Sequence, residues 1–343
     1  MIDPPEHEPL RLSNSKAKTW RRCPNQFRYK YELGLRTKGR SIYLERGSWL
    51  HTLMEVYYSA DPGLQIKVGK KWFEVGTDWR LAHKHMHRAF NNLFEEEKED
   101  LGDLPTECMR IFTSYLMRYG KQDAKQWKVI DAELDEIITL PSGLRFQVII
   151  DLIVEEPDGG LWIVDHKTVG RFMAVDFMLL DSQLARYFWC AEDMGYKNLR
   201  GILFNEVNTT APTLPKVLQD GTLEKRANLR CDVYTYMREI KRQGTTVDAH
   251  REFLRRLASQ QDMWFRRTRL PKDPVLTARL MTELEWTADE IRTAQFKQAF
   301  PRSPEKECTF MCEYLHMCQV ELNGGDISDI IKSRFTTKEE RDL

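Results

Sequence analysis

Nowhere in its 343 residues does this chain run apolar for the roughly 20 positions that a membrane-crossing helix requires. It has no net charge either, since 52 Lys and Arg balance 52 Asp and Glu. A protein that only coats DNA needs a basic excess to neutralise phosphates, so that role is disfavoured. A complete phosphate-binding loop is missing. Gly63-x5-Gly69-Lys70-Lys71 has the wrong spacing and lacks the following Ser or Thr, which argues against an ATPase motor. No Ser-His-Asp set and no internal repeat emerges. The start, Met1-Ile2-Asp3-Pro4-Pro5-Glu6, has no secretory pattern, and seven cysteines cannot all pair. Both observations point to a reducing cytoplasm and away from a disulfide framework.

What the chain does have is concentrated in Val148–Lys167. The runs Val148-Ile149-Ile150-Asp151-Leu152-Ile153-Val154 and Leu161-Trp162-Ile163-Val164 flank the turn Pro157-Asp158-Gly159-Gly160, and Asp165-His166-Lys167 follows directly. Strand composition around turn composition predicts a β-hairpin. Residues i and i+2 of a strand share a face about 6.6 Å apart, so Asp165 and Lys167 point the same way and the partner strand brings Asp151 alongside. Two carboxylates converging at a sheet end repel unless a cation or proton lies between them. Asp151 and Asp165 are hard oxygen ligands suited to Mg²⁺ or Mn²⁺. Acid-x-Lys alone is common: Glu96-x-Lys98, Asp123-x-Lys125 and Glu239-x-Lys241 also fit, each in a polar, helix-like stretch that reads as a solvated face. Only Asp165-x-Lys167 ends an oily strand beside another strand bearing an Asp. The competing account is a strand-end ion pair between Lys167 and Asp151.

Apolar periodicity predicts helices over Lys16–Leu33, Arg46–Tyr58, Asp78–Asp100 and Thr106–Trp127, then strands over Lys128–Leu140, Leu144–Glu156 and Leu161–His166. A helix over Asp176–Met194 and a strand over Leu199–Val207 follow, then helices near Asp232–Arg242, Ala249–Arg267 and Val275–Phe300. That order is an α/β core between helical regions. Four sections result: 1–127 helical, 128–210 the α/β core, 211–320 helical, and 321–343 a loose tail after Gly324-Gly325. Gln183 and Tyr187 are i, i+4 on their helix and share a face, beside a core stripe of Leu184, Phe188 and Ala191. His83 and His87 also share a face, and solvated helix positions are the simpler account of them.

Cys108 and Cys190 fall on apolar helix positions and read as buried thiols; Cys231 is uninformative. Cys23 and Cys308-x3-Cys312-x5-Cys318 form a set of soft ligands that suits a [4Fe–4S] cluster or zinc, with free thiols as the alternative. Charge is uneven: residues 1–40 hold ten Lys and Arg against four Asp and Glu. Arg21, Arg22, Arg28, Lys30, Arg36, Lys38 and Arg40 are candidates for phosphate contacts. A second basic stretch, Arg255, Arg256, Arg266, Arg267 and Arg269, interleaves Trp264 and Phe265, which either stack on unpaired bases or pack into the core.

Several blocks in order carry a resemblance: Leu12-Ser13-Asn14-Ser15, Arg22-Cys23-Pro24-Asn25-Gln26-Phe27, Arg46-Gly47-Ser48-Trp49-Leu50-His51, Asp151, Asp165-His166-Lys167, Gln183-Leu184-Ala185-Arg186-Tyr187, and the three late cysteines. Over about residues 12–320 the chain resembles the RecB-like branch of the PD-(D/E)XK nucleases, close to phage-encoded exonucleases and the iron–sulfur exonucleases of CRISPR adaptation. Two departures are visible. Gln147-Val148-Ile149-Ile150 replaces a Gly often found before the first catalytic Asp, and the first late cysteine gap is three residues where relatives usually have two.

The resemblance implies a restriction-endonuclease-like core sheet flanked by helices. It implies a metal held by Asp151, Asp165, the backbone carbonyl of His166 and His51, with the His166 side chain on the other face. Lys167 would orient the attacking water, Gln183 and Tyr187 would lie near the scissile phosphate, and Glu133 would stand just outside the metal's own ligands. Cys23, Cys308, Cys312 and Cys318 would clamp the two chain ends through a structural cluster. The expected activity is an Mg²⁺- or Mn²⁺-dependent DNA exonuclease acting on single strands or ends, in phage replication or recombination and hence in a host cytoplasm. A separate helicase or recombination protein is a candidate partner, and oligomeric state is left open. The rival is a DNA-end-binding accessory that keeps the fold without cutting.

Overall fold

The computed structural model describes residues 10–337. The amino-terminal residues that bear on a signal, 1–9, and the last six of the tail lie outside that range. Strand β1 (Arg11–Ser13) enters helix α1 (Asn14–Arg22) without a loop, because the extended Ser13 caps it, its Oγ accepting the Lys16 N–H at 3.3 Å. Cys23 is extended, as the residue before a proline prefers. The stretch Lys16–Leu33 is therefore not one helix: Pro24 ends α1, and a short helix Pro24–Phe27 and a π-turn Arg28–Glu32 follow.

Helix α2 (Ile42–Tyr58) starts four residues earlier than expected. The single helix expected over Asp78–Asp100 is two, Trp79–Asn91 and Glu95–Leu101, the second capped by the Glu97 carboxylate turned back onto the Phe94 N–H. Helix α3 (Leu104–Tyr115) continues through a π-turn to Gln126. Then come β2 (Lys128–Thr139), β3 (Arg145–Glu155), β4 (Leu161–Val169), α4 (Val175–Leu179), α5 (Ser182–Asp193), β5 (Leu199–Asn208) and α6 (Val233–Arg242).

The helix expected over Ala249–Arg267 stops at Ser259, and Phe265–Pro271 is instead strand β6, followed by α7 (Pro274–Lys297). Alternation in this arginine-rich strand is carried by charged side chains, so the period of two is hidden. β6 pairs antiparallel with β5 from Gly201↔Pro271 to Val207↔Phe265. Only glycine fits at 201, where a Cβ would lie 2.3 Å from the Leu270 carbonyl oxygen.

The main sheet runs β1–β3–β4–β5–β6, with β2 paired along the other edge of β3. It thus takes strands from outside 128–210 as well. The β3–β4 hairpin is antiparallel, β4–β5 is parallel through the α4–α5 crossover, and β1 joins β3 in parallel. One face packs on α1, α5 and α7 through residues such as Phe146, Ile150, Leu184 and Leu284. The other packs on α2 and α3 through Leu53, Phe112, Val154 and Val164. This is a mixed α/β fold with helices on both faces, as expected.

Residues 29–37 and 314–336 meet. Tyr29, Leu35, Tyr314, Met317 and Phe335 form a small core, and Phe335–Thr336 pairs antiparallel with Arg36–Thr37. The expected loose tail is therefore structured to residue 336: Ser328–Arg334 is helical and Phe335 stacks on Tyr314. An aromatic at a buried position outweighs the charge around it. No helix among the described residues is long and apolar enough to cross a membrane.

Candidate active site

The site forms where two strands part. β3 and β4 pair from Glu155↔Leu161 up to Leu152↔Val164 and then diverge, so the next opposed residues are Asp151 and Asp165. Divergence leaves backbone groups without ladder partners, and Asp151 answers one: its Oδ2 accepts the His166 N–H at 2.6 Å. Its Oδ1 lies 3.6 Å from His51 Nδ1. His51 arrives on α2, which approaches closely because residue 47, one turn earlier, is glycine; a Cβ there would meet Thr168 Oγ1 at 3.2 Å.

Glu133 completes the group. It lies on β2 opposite Asp151, between the pairs Ala132↔Leu152 and Leu134↔Ile150, with φ +48°, a left-handed value rare outside glycine. Ligand atoms of His51, Glu133 and Asp151 all lie within 4.8 Å of one another, the one such grouping of three among the described residues. Glu133, expected just outside the ligands, thus stands among the candidates for direct ligation. Burial first, then the Asp151 charge, pushes its carboxyl up to about 8. Burial works against ionised Asp151, but the His51 imidazole beside it, with the Lys167 charge, outweighs burial and holds Asp151 below the ordinary range. For His51 burial again opposes, and Asp151 with Glu133 overrides it and raises the imidazole.

Asp165 is placed differently from the expected ligand set. It is outside the close triple and turns onto Lys167, Oδ1 accepting from Nζ at 2.9 Å. Oδ2 is equally near that ammonium but takes no hydrogen bond of acceptable angle, an orphaned buried oxygen. The ion pair that forms is therefore Lys167–Asp165, not the alternative Lys167–Asp151. Burial, and then Asp151, raise the Asp165 carboxyl against the pull of Lys167.

Lys167 Nζ also reaches Gln183 Oε1 at 3.4 Å, and Gln183 Nε2 donates to the Tyr187 hydroxyl. The Gln183/Tyr187 pair so joins the site, with Tyr187 buried and not merely superficial. Lys18 on α1 donates to Gln183 Oε1 at 3.3 Å and to Asp181 at 3.1 Å. Nothing in the sequence around Lys18 marks it, and it is absent from the basic residues expected to meet phosphate.

The His166 side chain does point away, into a closed polar ring. Its Nδ1 faces Asn205 Nδ2 at 2.7 Å, and its ring stacks on Tyr58 at 5.8 Å. Asn205 Oδ1 accepts from Arg267 Nε at 3.1 Å; Arg267 grips both Asp123 oxygens at 2.6 and 2.7 Å; and Asp123 accepts the Tyr58 hydroxyl at 2.5 Å. Burial pushes His166 down to about 3, so it is neutral near pH 7.

Arg267 is thus no phosphate contact. Arg266 pairs with Glu206, Arg269 with Glu156, and Trp264 and Phe265 are core residues. In the amino-terminal set Arg21, Arg28 and Arg40 are engaged with Glu290, Glu321 and Glu97. His83 is buried, accepts from Trp49 Nε1 at 3.2 Å and is pushed down to about 4 by burial, which replaces the solvated-helix account.

Cys23, Cys308, Cys312 and Cys318 converge on one cavity of about 330 Å³, far from the carboxylates in sequence and lined also by Arg22 and Arg302. All four are half-buried free thiols, and Cys318 Sγ accepts from Asn25 Nδ2 at 3.7 Å. No three of these sulfurs come within 4.8 Å of one another. Cys108, Cys190 and Cys231 are buried. The amino- and carboxy-terminal parts of the described chain do not depend on the cysteines alone. The small core, the two-residue strand pair, the Arg28–Glu321 bridge and the Tyr29 hydroxyl donating to Glu321 at 2.7 Å also tie them.

Residues 11–319 match the family model described as the PD-(D/E)XK nuclease superfamily. Over 170 residues the chain is 28% identical to one of the subunits of the ATP-dependent helicase/deoxyribonuclease of Streptococcus agalactiae, in serotypes Ia, V and III. That alignment covers 48% of this chain and 14% of the streptococcal proteins, so the chain spans a small part of their length. With a match across most of its length and the acidic fork in place, the chain belongs to the PD-(D/E)XK nuclease superfamily and is RecB-like within it.

Proposed function

We propose that this chain is a metal-dependent deoxyribonuclease, acting as an exonuclease on single strands or DNA ends. The observation that carries the reading is the gathering of His51, Glu133 and Asp151 beside the Asp165–Lys167 pair at the strand fork. Crowded carboxylates with one orphaned buried oxygen fit a hard divalent cation, so Mg²⁺ or Mn²⁺ would be held by Asp151, Asp165, His51 and the His166 carbonyl, with Glu133 joining them. Such an ion, when bound, polarises a phosphate and lowers the pKa of a water. Lys167 then orients the attacking water and offsets charge on phosphorus, while Gln183, steadied by Tyr187 and Lys18, positions Lys167 and the scissile phosphate. We place the acidic core of catalysis in residues 128–210, with 1–127 adding His51 and Lys18, and 211–320 a mainly helical supporting region that also supplies β6. Incubating a fluorescent oligonucleotide with Mg²⁺, Mn²⁺ or EDTA tests this: cleavage is expected only with metal, and binding without product favours the end-binding accessory.

Glu133 gives a prediction in which stability and metal use move oppositely. Its folded-state carboxyl titrates above the unfolded value, so its ionisation opposes folding increasingly as pH rises toward about 8. Glu133→Gln is expected to raise Tm at about pH 8, to do so less near pH 5, and to raise the Mn²⁺ concentration for half-maximal cleavage about 10–100-fold. A lowered Tm with unchanged metal dependence removes Glu133 from the site.

We propose that the four cysteines hold a structural [4Fe–4S] cluster. The four thiols line one cavity, and such a set of soft ligands suits the cluster, with zinc as the alternative. Anaerobically purified protein is expected to absorb near about 400 nm, and Cys312→Ser to lose that band; a colourless protein containing zinc overturns the cluster. A phage replication or recombination setting, a cytoplasmic location and a helicase partner are part of the same reading, and a pull-down tests the last.

A further inference from the structure

The segment joining β4 to Gln183 exposes apolar side chains beside the site. Phe177 is 60% and Leu180 72% exposed, with Val175 and Leu179 also open to solvent. This is not a loose loop. Met178 between them is fully buried in the core, the Met173 N–H donates to Glu206 at 2.8 Å, and Asp181 caps α5 and pairs with Lys18. Apolar side chains on a fixed scaffold lie beside Lys18 and Lys167, each shared with a carboxylate (Asp181 and Asp165), and so flank the proposed phosphate site, a setting that suits a ligand with flat apolar faces on an anionic backbone. An unpaired DNA strand has both; a duplex hides its base faces by stacking.

We infer that Phe177 and Leu180 form a rim that stacks on unpaired bases next to the scissile phosphate, so that the enzyme selects single strands and frayed ends. The inference rests on the nuclease reading for the word scissile, but the rim can be tested without cleavage. Binding of a single-stranded and a blunt duplex oligonucleotide is measured in EDTA for wild type, Phe177→Ala/Leu180→Ala and Phe177→Trp. Both sites are on the surface, and melting curves check the fold.

The double variant is expected to bind the single strand roughly tenfold more weakly, with duplex Kd changed less than twofold. Phe177→Trp is expected to match wild type, and quenching of 2-aminopurine in the strand is expected to vanish only in the double variant. An unchanged single-strand Kd, or equal loss on both DNAs, overturns the rim. Loss of a partner protein with wild-type DNA binding does the same, since the surface then docks protein. Wild type that binds through the rim yet never cuts with Mn²⁺ sinks the nuclease reading alone.

Discussion

Lys167→Ala and Asp165→Ala are each expected to lower DNA cleavage by at least about 10³-fold, since on the proposed reading the first removes the ammonium aimed at the phosphate and the second a ligand of the metal, in a site of low dielectric. Their effects on stability should differ. Asp165→Ala leaves an ammonium that is partly exposed and already reaches Gln183, so melting should change little. Lys167→Ala leaves a fully buried carboxylate without its cation. Burial already raises the Asp165 carboxyl, so the group can escape by taking up a proton, more easily at low pH. Lys167→Ala should therefore lose more Tm at about pH 8 than near pH 5, the sign expected when the folded-state pKa exceeds the unfolded value. Cleavage by single-turnover assay and melting at the two pH values check both halves. Wild-type cleavage by Asp165→Ala protein would end the assignment of the fork as the active site.

What the sequence disclosed here follows how far apart the cooperating residues stand. The hairpin, Asp151, Asp165 and Lys167 lie within about twenty residues, and period-two patterning fixes which of them share a face. His51 and the Gln183/Tyr187 pair are legible only as family blocks, yet the structure brings both to the fork. Glu133 is hard to weigh from sequence because its place depends on a left-handed backbone value that no residue type there announces. Lys18 cannot be found at all: it meets Gln183 across 165 positions by the packing of α1 against the site. The Pro24 break and Phe335 show another failing, in which local cues are present but a longer periodic or charged pattern overrides them. Arg267 combines both. It sits in a strand whose alternation is written in arginines, and all of its partners come from other elements.

That arginine supports the largest expected effect on folding. Asp123 is almost fully buried and receives two hydrogen bonds from the Arg267 guanidinium, itself packed over Tyr119 and Trp127. Arg267→Met keeps much of the volume but strands the carboxylate, which should cost about 3–5 kcal/mol, a fall in Tm of about 4–7 °C for a chain of this size. Arg267→Lys should fall between, since an ammonium cannot reproduce the fork of parallel bonds. Adding Asp123→Leu to Arg267→Met should restore much of the loss, because a matched apolar pair leaves no buried charge unpaired. The ring also steadies His166, whose backbone N–H holds Asp151 Oδ2 and whose carbonyl is the proposed ligand. Arg267→Met protein that is still folded at the assay temperature should therefore need about tenfold more Mn²⁺ for half-maximal cleavage, with kcat at saturating metal largely kept. Plain destabilisation predicts fewer active molecules at every metal concentration, so an unshifted metal curve with a reduced plateau would show the ring to be structural only.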